Sequence, residues 1–260
     1  MSVSAALFQN MKLVIALCLI ALASIGIAAE KPVHLFILSG QSNMANMSPN
    51  GGFEPETAKL FPEADVAYIK VAIGGHPIRY WVTEWDEIAV KNGIDSAKVR
   101  ASDKNKGTIY YQPILEQFAA MLEKHPNPAS VTFCWMQGET DALTNLEAAY
   151  GDALKQLIAN LRRDLKQPDM NVVIARISDY HGDEDAHWQT VRKAQVALAS
   201  SDSRGAWVDC DDLNDQKKDG VMINGLHYTS AGYGMLGRRF VRQAKALIEG
   251  RKPAANGRPE

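Results

Sequence analysis

Five short apolar segments, nearly continuous and rich in Val and Ile, constrain the fold of this chain more than any other feature. A strand buried on only one face would alternate apolar and polar residues, and these segments do not. The segments comprise residues 33–38, 66–72, 131–136, 172–177 and 206–209. They are typical of parallel strands that helices cover on both faces.

Amphipathic helical patterns separate the predicted strands. Apolar residues recur at helical spacing in a final helix after a Thr229/Ser230 cap, and in residues 113–122, 146–161 and 188–198. Alternating strands and helices predict an α/β fold. The predicted architecture is a three-layer doubly wound sandwich with a mainly parallel five-stranded sheet and right-handed crossovers.

A single domain accounts for these elements, because no linker rich in Pro, Gly or Ser divides the 260 residues. We assign residues 30–250 to this domain and predict a disordered tail over 251–260. Within the domain, residues 51–62 and 91–107 are predicted as loops. A net charge of −2 provides no field for a polyanion, so nucleic acid is not expected as a partner. No stable protein partner is predicted either.

Residues 1–29 have the pattern of a secretory signal peptide. Lys12 precedes an apolar run over residues 13–27, and two alanines follow the run. We expect cleavage and a secreted or periplasmic protein. The run is near the lower length limit for a spanning helix, which leaves an uncleaved membrane anchor as the alternative. The mature chain would keep Cys134 and Cys210, which fit one disulfide or two buried thiols equally well.

Small and polar residues follow the predicted strands, at the edge of the sheet where α/β proteins bind ligands. Ser42 would stand at the start of a helix, where its backbone amide could bind an oxyanion, although a capping serine is common. Gly74 and Gly75 follow the second strand and could let the backbone approach a ligand or simply form a turn. Gln137 follows the third strand and could donate to an oxyanion or tie buried loops together.

His227 precedes the final helix and could act as the base for a serine on the first loop. With this histidine, four segments in order resemble the SGNH hydrolase superfamily. The resemblance is closer to its branch of carbohydrate esterases, which includes sialate O-acetylesterases and acetylxylan esterases. The motifs lie within residues 33–240 and are GQSNM at 40–44, GG at 74–75 with Trp81 downstream, WMQGETD at 135–141 and GLHYTSAG at 225–232.

This resemblance implies covalent catalysis by a serine. Ser42 would be the nucleophile and His227 the general base. The oxyanion hole would comprise the side chain of Gln137 and the backbone amides of Ser42 and Gly75. Core packing is an equal alternative for one of the expected substrate-binding residues, Trp81. The residues expected to contact substrate are Gly74, Arg79, Trp81 and Glu139. No metal or organic cofactor is expected.

The chain departs from the family pattern at Asn224, three residues before His227, where an aspartate is usual. We include Asn224 among the catalytic residues because its carbonyl oxygen could orient the imidazole. It cannot stabilise an imidazolium as a carboxylate does, and in a serine protease this exchange lowers turnover by about 10⁴. Asp219 or a backbone carbonyl could take the role, a Ser42–His227 pair could suffice, or catalysis could be lost.

We therefore predict a secreted serine esterase, a carboxylic ester hydrolase, that removes O-acetyl groups from carbohydrates through an acetyl-serine intermediate. The alternative is a catalytically impaired esterase-like protein that binds carbohydrate or another partner. A phosphodiesterase or phosphatase is a weaker hypothesis, because no convincing set of metal ligands is present. The histidines and acidic residues of 181–187 are predicted to be solvated, and residues 209–215 lack key positions of a calcium loop.

Overall fold

The computed structural model describes residues 30–103 and 107–258. Its central element is a sheet in which every adjacent pair of strands is parallel. The spatial order is β2-β1-β3-β4-β5. The strands are β1 (Val33–Gly40), β2 (Asp65–Ala72), β3 (Ser130–Met136), β4 (Asn171–Ala175) and β5 (Gly205–Val208). The predicted α/β fold with a parallel five-stranded sheet is confirmed.

Helices follow most of the strands. They are α1 (Ser42–Asn46), α2 (Phe53–Leu60), α3 (Trp85–Lys91), α4 (Ser96–Ala101), α5 (Tyr111–Lys124), α6 (Glu139–Leu143), α7 (Glu147–Asp164), α8 (Ala186–Ser201) and α9 (Ser230–Ile248). The four helices with clear periodicity are confirmed as α5, α7, α8 and α9. Thr229 caps α9 as predicted, since its side chain accepts a hydrogen bond from Gly232 N.

Two regions predicted as loops contain short helices. Residues 51–62 include α2, and 91–107 include α4 and the last residue of α3. Helix α4 has six residues and none of them is buried, so no apolar stripe indicates it. It begins instead at a local cap, because the Asp95 side chain accepts a hydrogen bond from Lys98 N.

A two-stranded antiparallel hairpin, which the sequence analysis did not predict, precedes α9. It comprises β6 (Asp215–Lys218) and β7 (Val221–Asn224). Asp219 and Gly220 form its two-residue turn, with φ values of 51° and 84°. Positive φ at both positions matches the twist of a hairpin. The side chains of β7 are exposed, so the segment lacks the buried pattern on which strand prediction depends.

The connections place the helices on both faces of the sheet. The chain moves in one direction from β1 to β2 and in the opposite direction from β2 through β3 and β4 to β5. Right-handed crossovers therefore place α2 on one face and α5, α7 and α8 on the other. Phe36 of β1 packs on Phe53 of α2, with ring centroids 5.2 Å apart. On the other face Trp81 packs edge-on against Trp135 at 5.4 Å.

The C-terminal tail differs from the prediction of disorder as far as Arg258. Asp209 N donates to Asn256 O at 2.8 Å, and Gln243 Nε2 donates to Ala254 O at 2.9 Å. Arg258 forms an ion pair with Asp209 at 3.1 Å. These polar contacts hold the tail without an apolar stripe, which is why composition alone suggested disorder.

Cys134 and Cys210 are both buried and unpaired, which agrees with the second of the two alternatives for these thiols. The predicted signal peptide over residues 1–29 lies outside the described residues. Within the described part of the chain, no helix is long and apolar enough to cross a membrane.

Candidate active site

The candidate site lies where β1 and β3 end, side by side in the middle of the sheet. The strand order reverses at this point, because the chain leaves β1 for β2 on one side and returns to β3 on the other. Such a reversal opens a crevice at the carboxyl edge of a parallel sheet. The loops that carry Ser42 and Gln137 both start from this crevice.

Ser42 is the first residue of α1 and is half-buried. Gly40 and Gln41 bring it against β3, since Gln41 N donates to Met136 O at 2.9 Å. Ser39 has a different environment, because it is fully buried and its hydroxyl donates to Val71 O at 2.7 Å. Of the two serines in this segment, only Ser42 retains an accessible position for nucleophilic attack.

The glycine loop after β2 lies against Ser42. A Cβ placed on Gly74 would be 3.5 Å from Ser42 Cβ, an ordinary van der Waals contact, so the loop is a direct neighbour of Ser42. Gly75 is exposed and has a φ of 73°, which a side chain would disfavour. Among the described residues, neither Ser42 N nor Gly75 N donates to a protein acceptor. Both amides are therefore available to an oxyanion.

His227 is exposed in the loop before α9, and its loop contacts the Ser42 segment directly. Asn43 Nδ2 donates to Leu226 O at 3.1 Å. Because Ser42 precedes Asn43 and His227 follows Leu226, this contact brings the two catalytic candidates to the same edge of the sheet. Within residues 30–103 and 107–258 no hydrogen bond joins the Ser42 hydroxyl and the His227 ring. Catalytic hydrogen bonds often tighten only when substrate binds.

Asn43 connects the loops of the candidate site, a role that was not predicted from the sequence. It is 1% exposed, and its Nδ2 donates to Glu139 Oε1 at 2.7 Å as well as to Leu226 O. Its Oδ1 accepts from the Tyr233 hydroxyl at 3.0 Å. One amide side chain thus joins the loops after β1 and β3 to the segment around His227. The signal in the sequence is its position directly after the nucleophile candidate.

Gln137 is fully buried, and its amide already has protein acceptors. Nε2 lies 3.1 Å from Gln41 Oε1, 3.2 Å from His76 O and 2.5 Å from Asp141 Oδ2. A flipped amide would direct Oε1 at these acceptors, so the orientation is determined by its surroundings. The arrangement matches the alternative in which Gln137 ties loops together. A role in the oxyanion hole would require Nε2 to exchange one of its present acceptors.

Glu139, which was predicted to contact substrate, is buried beneath the site. Its side chain is only 2% exposed and accepts from Asn43, so it positions Asn43 instead of binding substrate. Burial raises its pKa to about 7, against the lowering effect of hydrogen bonds from backbone amides and Asn43. Burial likewise raises the pKa of Asp141 to about 7.

Trp81 is also placed differently from its predicted role in substrate binding. It has no exposed surface, and its Nε1 donates to Ser39 Oγ at 3.1 Å. It packs in the core, which was the stated alternative. The flat face of its indole ring, which led us to predict contact with a sugar, packs against core side chains instead.

Arg79 and Gly75 both line a cavity of about 480 Å³. The guanidinium is largely buried and donates from Nε and Nη2 to the carboxylate of Asp103. This ion pair neutralises Arg79 at the wall of the cavity. Direct contact between Arg79 and substrate stays a prediction. The wall also includes His76, Tyr80, Thr140 and Leu146.

Asp219 lies away from Asn224, and among the described residues it forms no hydrogen bond or ion pair with His227. It occupies the hairpin turn, whereas Asn224 pairs with Asp215 at the opposite end of the hairpin. Four residues of strand separate the two ends by roughly 13 Å. The Asn224 side chain instead donates from Nδ2 to Asp179 Oδ2 at 3.0 Å.

The raised pKa of Glu139 predicts a specific dependence of stability on pH. The folded protein holds this proton more tightly than the unfolded chain, whose carboxyl has a pKa near 4.5. The stabilisation is complete below that value and is lost as the pH rises through about 7. We expect Glu139→Gln to gain stability relative to the wild type between about pH 5 and about pH 8.

Denaturant unfolding of both proteins across this range measures the difference. The matched control is Glu63→Gln, which neutralises an exposed carboxylate and should leave the difference from wild type independent of pH. Parallel curves for Glu139→Gln and the wild type would contradict the prediction.

Comparison with known proteins identifies the family. A model of the family described as "carbohydrate esterase, sialic acid-specific acetylesterase" matches residues 46–246. This range includes the glycine loop, Gln137 and His227 and begins four residues after Ser42. A curated relative, a probable 9-O-acetyl-N-acetylneuraminic acid deacetylase of Escherichia coli K12, is 37% identical over 60 residues. That match covers 23% of this chain and 18% of the relative.

Solved structures share the fold. A protein of Arabidopsis thaliana superposes with a TM-score of 0.57 at 21% identity, over 84% of this chain and 98% of that one. A carbohydrate acetylesterase from Xanthomonas citri gives 0.56 at 14% identity, over 86% and 58% of the two chains. A protein named NanS gives 0.55 at 14% identity, over 84% and 97%. Since the family match covers most of the chain, this protein belongs to the carbohydrate esterase family of sialic acid-specific acetylesterases, as its motifs predicted.

Proposed function

We propose that this protein is an exported serine esterase that removes O-acetyl groups from carbohydrates. The observation that carries the proposal is the hydrogen bond from Asn43 Nδ2 to Leu226 O, which joins the segments of Ser42 and His227. The position of the Gly74 loop beside Ser42 supports it, as do the amides of Ser42 and Gly75, which donate to no acceptor among the described residues. The family supplies the expected substrate class, an acetylated carbohydrate.

In the proposed mechanism the Ser42 hydroxyl attacks the acetyl carbonyl while the His227 ring accepts the hydroxyl proton. The amides of Ser42 and Gly75 hold the oxyanion of the tetrahedral intermediate, and one such donor contributes about 3 kcal/mol. His227 then protonates the sugar oxygen as the bond to the acetyl group breaks. Water attacks the acetyl-serine, and acetate and the free serine result.

Gln137 can act as a third donor only if one N–H of its side-chain amide breaks its hydrogen bond to His76 O or to Gln41 Oε1. The backbone of His76 directly follows Gly75, so movement of this loop on substrate binding would release that N–H while it brings the Gly75 amide to the oxyanion. In the absence of substrate, Gln137 maintains the spacing between the loops after β1, β2 and β3.

A fluorophosphonate probe and an acetate-release assay test the proposal together. The probe reacts with a serine only where a base and an oxyanion hole activate it. We expect labelling of Ser42, located by peptide mass spectrometry, and acetate release from at least one of acetylated sialic acid, acetylated xylan and aryl acetates. Peptide mapping that places the label elsewhere, or no acetate release from any of them, would contradict the proposal.

The second candidate function is a carbohydrate-binding protein on an esterase scaffold that has lost its chemistry. Two observations favour it, namely Asn224 in place of the usual carboxylate and the occupied amide of Gln137. Glycan binding without labelling by the probe would identify a binding protein. Acetate release that requires Ser42 would exclude this alternative.

Export is proposed from residues 1–29 alone. A cleaved signal would place the enzyme in the periplasm or outside the cell, where acetylated polysaccharides and glycans are accessible. N-terminal sequencing of the protein from cell fractions tests this. A mature N-terminus near Glu30 supports cleavage, whereas an intact leader in the membrane fraction supports an anchor.

A further inference from the structure

A carboxylate accepts a hydrogen bond from Asn224, the residue at which this chain lacks the usual aspartate. Asp179 lies in the loop after β4 and accepts from Asn224 Nδ2 at 3.0 Å. We propose that Asp179 is a positioning residue of the esterase site: it holds the Asn224 amide so that Asn224 Oδ1 accepts Nδ1–H of His227. This inference rests on the proposed function and names the acidic group that supports its base.

The carboxylate determines which way the Asn224 amide points. Asp179 has only acceptor atoms when ionised, so the amide nitrogen of Asn224 must face it. The other amide atom, Oδ1, is then directed away from Asp179 and is an acceptor for an N–H group. Asn214 holds the second carboxylate oxygen, with Nδ2 at 3.1 Å from Asp179 Oδ1. Asp179 is thereby fixed between two amides and selects one orientation of Asn224.

The backbone around Asn224 and His227 is held in the same region. Asn224 pairs with Asp215 at the end of the hairpin, and Gly225 N donates to Asn214 O at 2.9 Å. Gln216 Nε2 donates to His227 O. A Cβ on Gly225 would lie 2.8 Å from His227 O, so the turn is tightly packed. The hairpin thus fixes the backbone between Asn224 and His227.

The arrangement separates two tasks that a triad aspartate performs alone. Asn224 Oδ1 would fix the tautomer of His227, leaving Nε2 to accept the Ser42 proton. Asp179 contributes its negative charge from behind the amide, where it stabilises the imidazolium less than a direct contact would. The buried cation Arg192 interacts with the charge of Asp179 at longer range, but its direct partner is Asp211. No proton passes to Asp179 in the cycle.

The first test is Asp179→Asn, which keeps the shape and removes the charge. We expect the rate of fluorophosphonate labelling and kcat to fall at least tenfold, with KM little changed. The matched control is Asp183→Asn, which removes the same charge from an exposed position in the same loop and should change neither quantity.

The second test reverses the donor and the acceptor. Asn224→Asp alone places two carboxylates in contact, and their repulsion should limit any gain in rate. Asn224→Asp combined with Asp179→Asn restores one donor and one acceptor and puts the charge next to His227. We expect the double variant to react at least as fast as the wild type. Because it retains the contact, it also covers the case in which Asp179→Asn fails to fold.

Unchanged rates in Asp179→Asn would overturn the inference. A slower Asp179→Asn together with a double variant that stays slow would show a purely structural role and overturn it as well. These results presuppose a labelled wild-type Ser42. If the wild type does not react with the probe, the proposed function fails first, and the role of Asp179 fails with it.

Discussion

Ser42→Ala is expected to lower kcat/KM for an aryl acetate by at least about 10³-fold, because the mechanism loses the atom that forms the acyl bond. The backbone amides of the proposed oxyanion hole remain, so weak residual catalysis is compatible with the proposal. Folding should be unaffected. The Ser42 side chain forms no hydrogen bond with any described residue and is half-buried, so the change removes little packing.

Ser39→Ala is the matched control for this experiment. It removes a hydroxyl three residues away that donates to Val71 O and accepts from Trp81 Nε1. Loss of this buried pairing should cost about 1–3 kcal/mol of stability and leave the activity of the folded protein close to wild type. Hydrolysis assays and thermal melting of both variants provide the measurements. Full activity in Ser42→Ala would rule out an acyl-serine mechanism.

Gly40→Ala is expected to destabilise the protein by about 4 kcal/mol or more, because it combines a steric overlap with backbone strain. A Cβ at Gly40 would lie 1.9 Å from Met136 O, inside the contact that Gln41 N makes with the same carbonyl. Gly40 also has a φ of 146°, which side chains disfavour. For a chain of this size the melting temperature should fall by roughly 8–16 °C.

Gly51→Ala provides the control for the same chemical change. A Cβ at Gly51 would meet no atom within 4 Å, and we expect its melting temperature to stay near that of the wild type. Thermal unfolding followed by circular dichroism compares the two variants. An unchanged melting temperature in Gly40→Ala would show that the ends of β1 and β3 separate easily. The contact that brings Ser42 against β3 would then lose its structural basis.

The sheet could be predicted from the sequence because parallel strands buried on both faces leave continuous apolar segments. All five segments form strands, and their bounds agree with the predicted ones within one residue, except that β1 ends two residues later and β4 two residues earlier. The hairpin could not be predicted in this way, since β7 exposes its side chains and depends on turn residues. Helix α4 likewise depends on a cap and has no buried face.

Within the site, motif order identified the right loops but not the direction of each side chain. Trp81 and Glu139 belong to those motifs, and both point into the interior, where they support Ser39 and Asn43. Their residue types are compatible with either direction. Burial is decided by elements far away in the chain, so no local pattern distinguishes a residue that supports the site from one that contacts substrate.

The sequence by itself determined the fold class, the family and the loops that carry Ser42 and His227, because periodicity and motif order are local properties of the chain. Only the tertiary structure decided what surrounds those residues. Asn43 reaches Leu226 across 183 positions, and Asp179 meets Asn224 across 45. Contacts between residues so far apart arise from the packing of separate elements, and no single segment of the sequence predicts that packing.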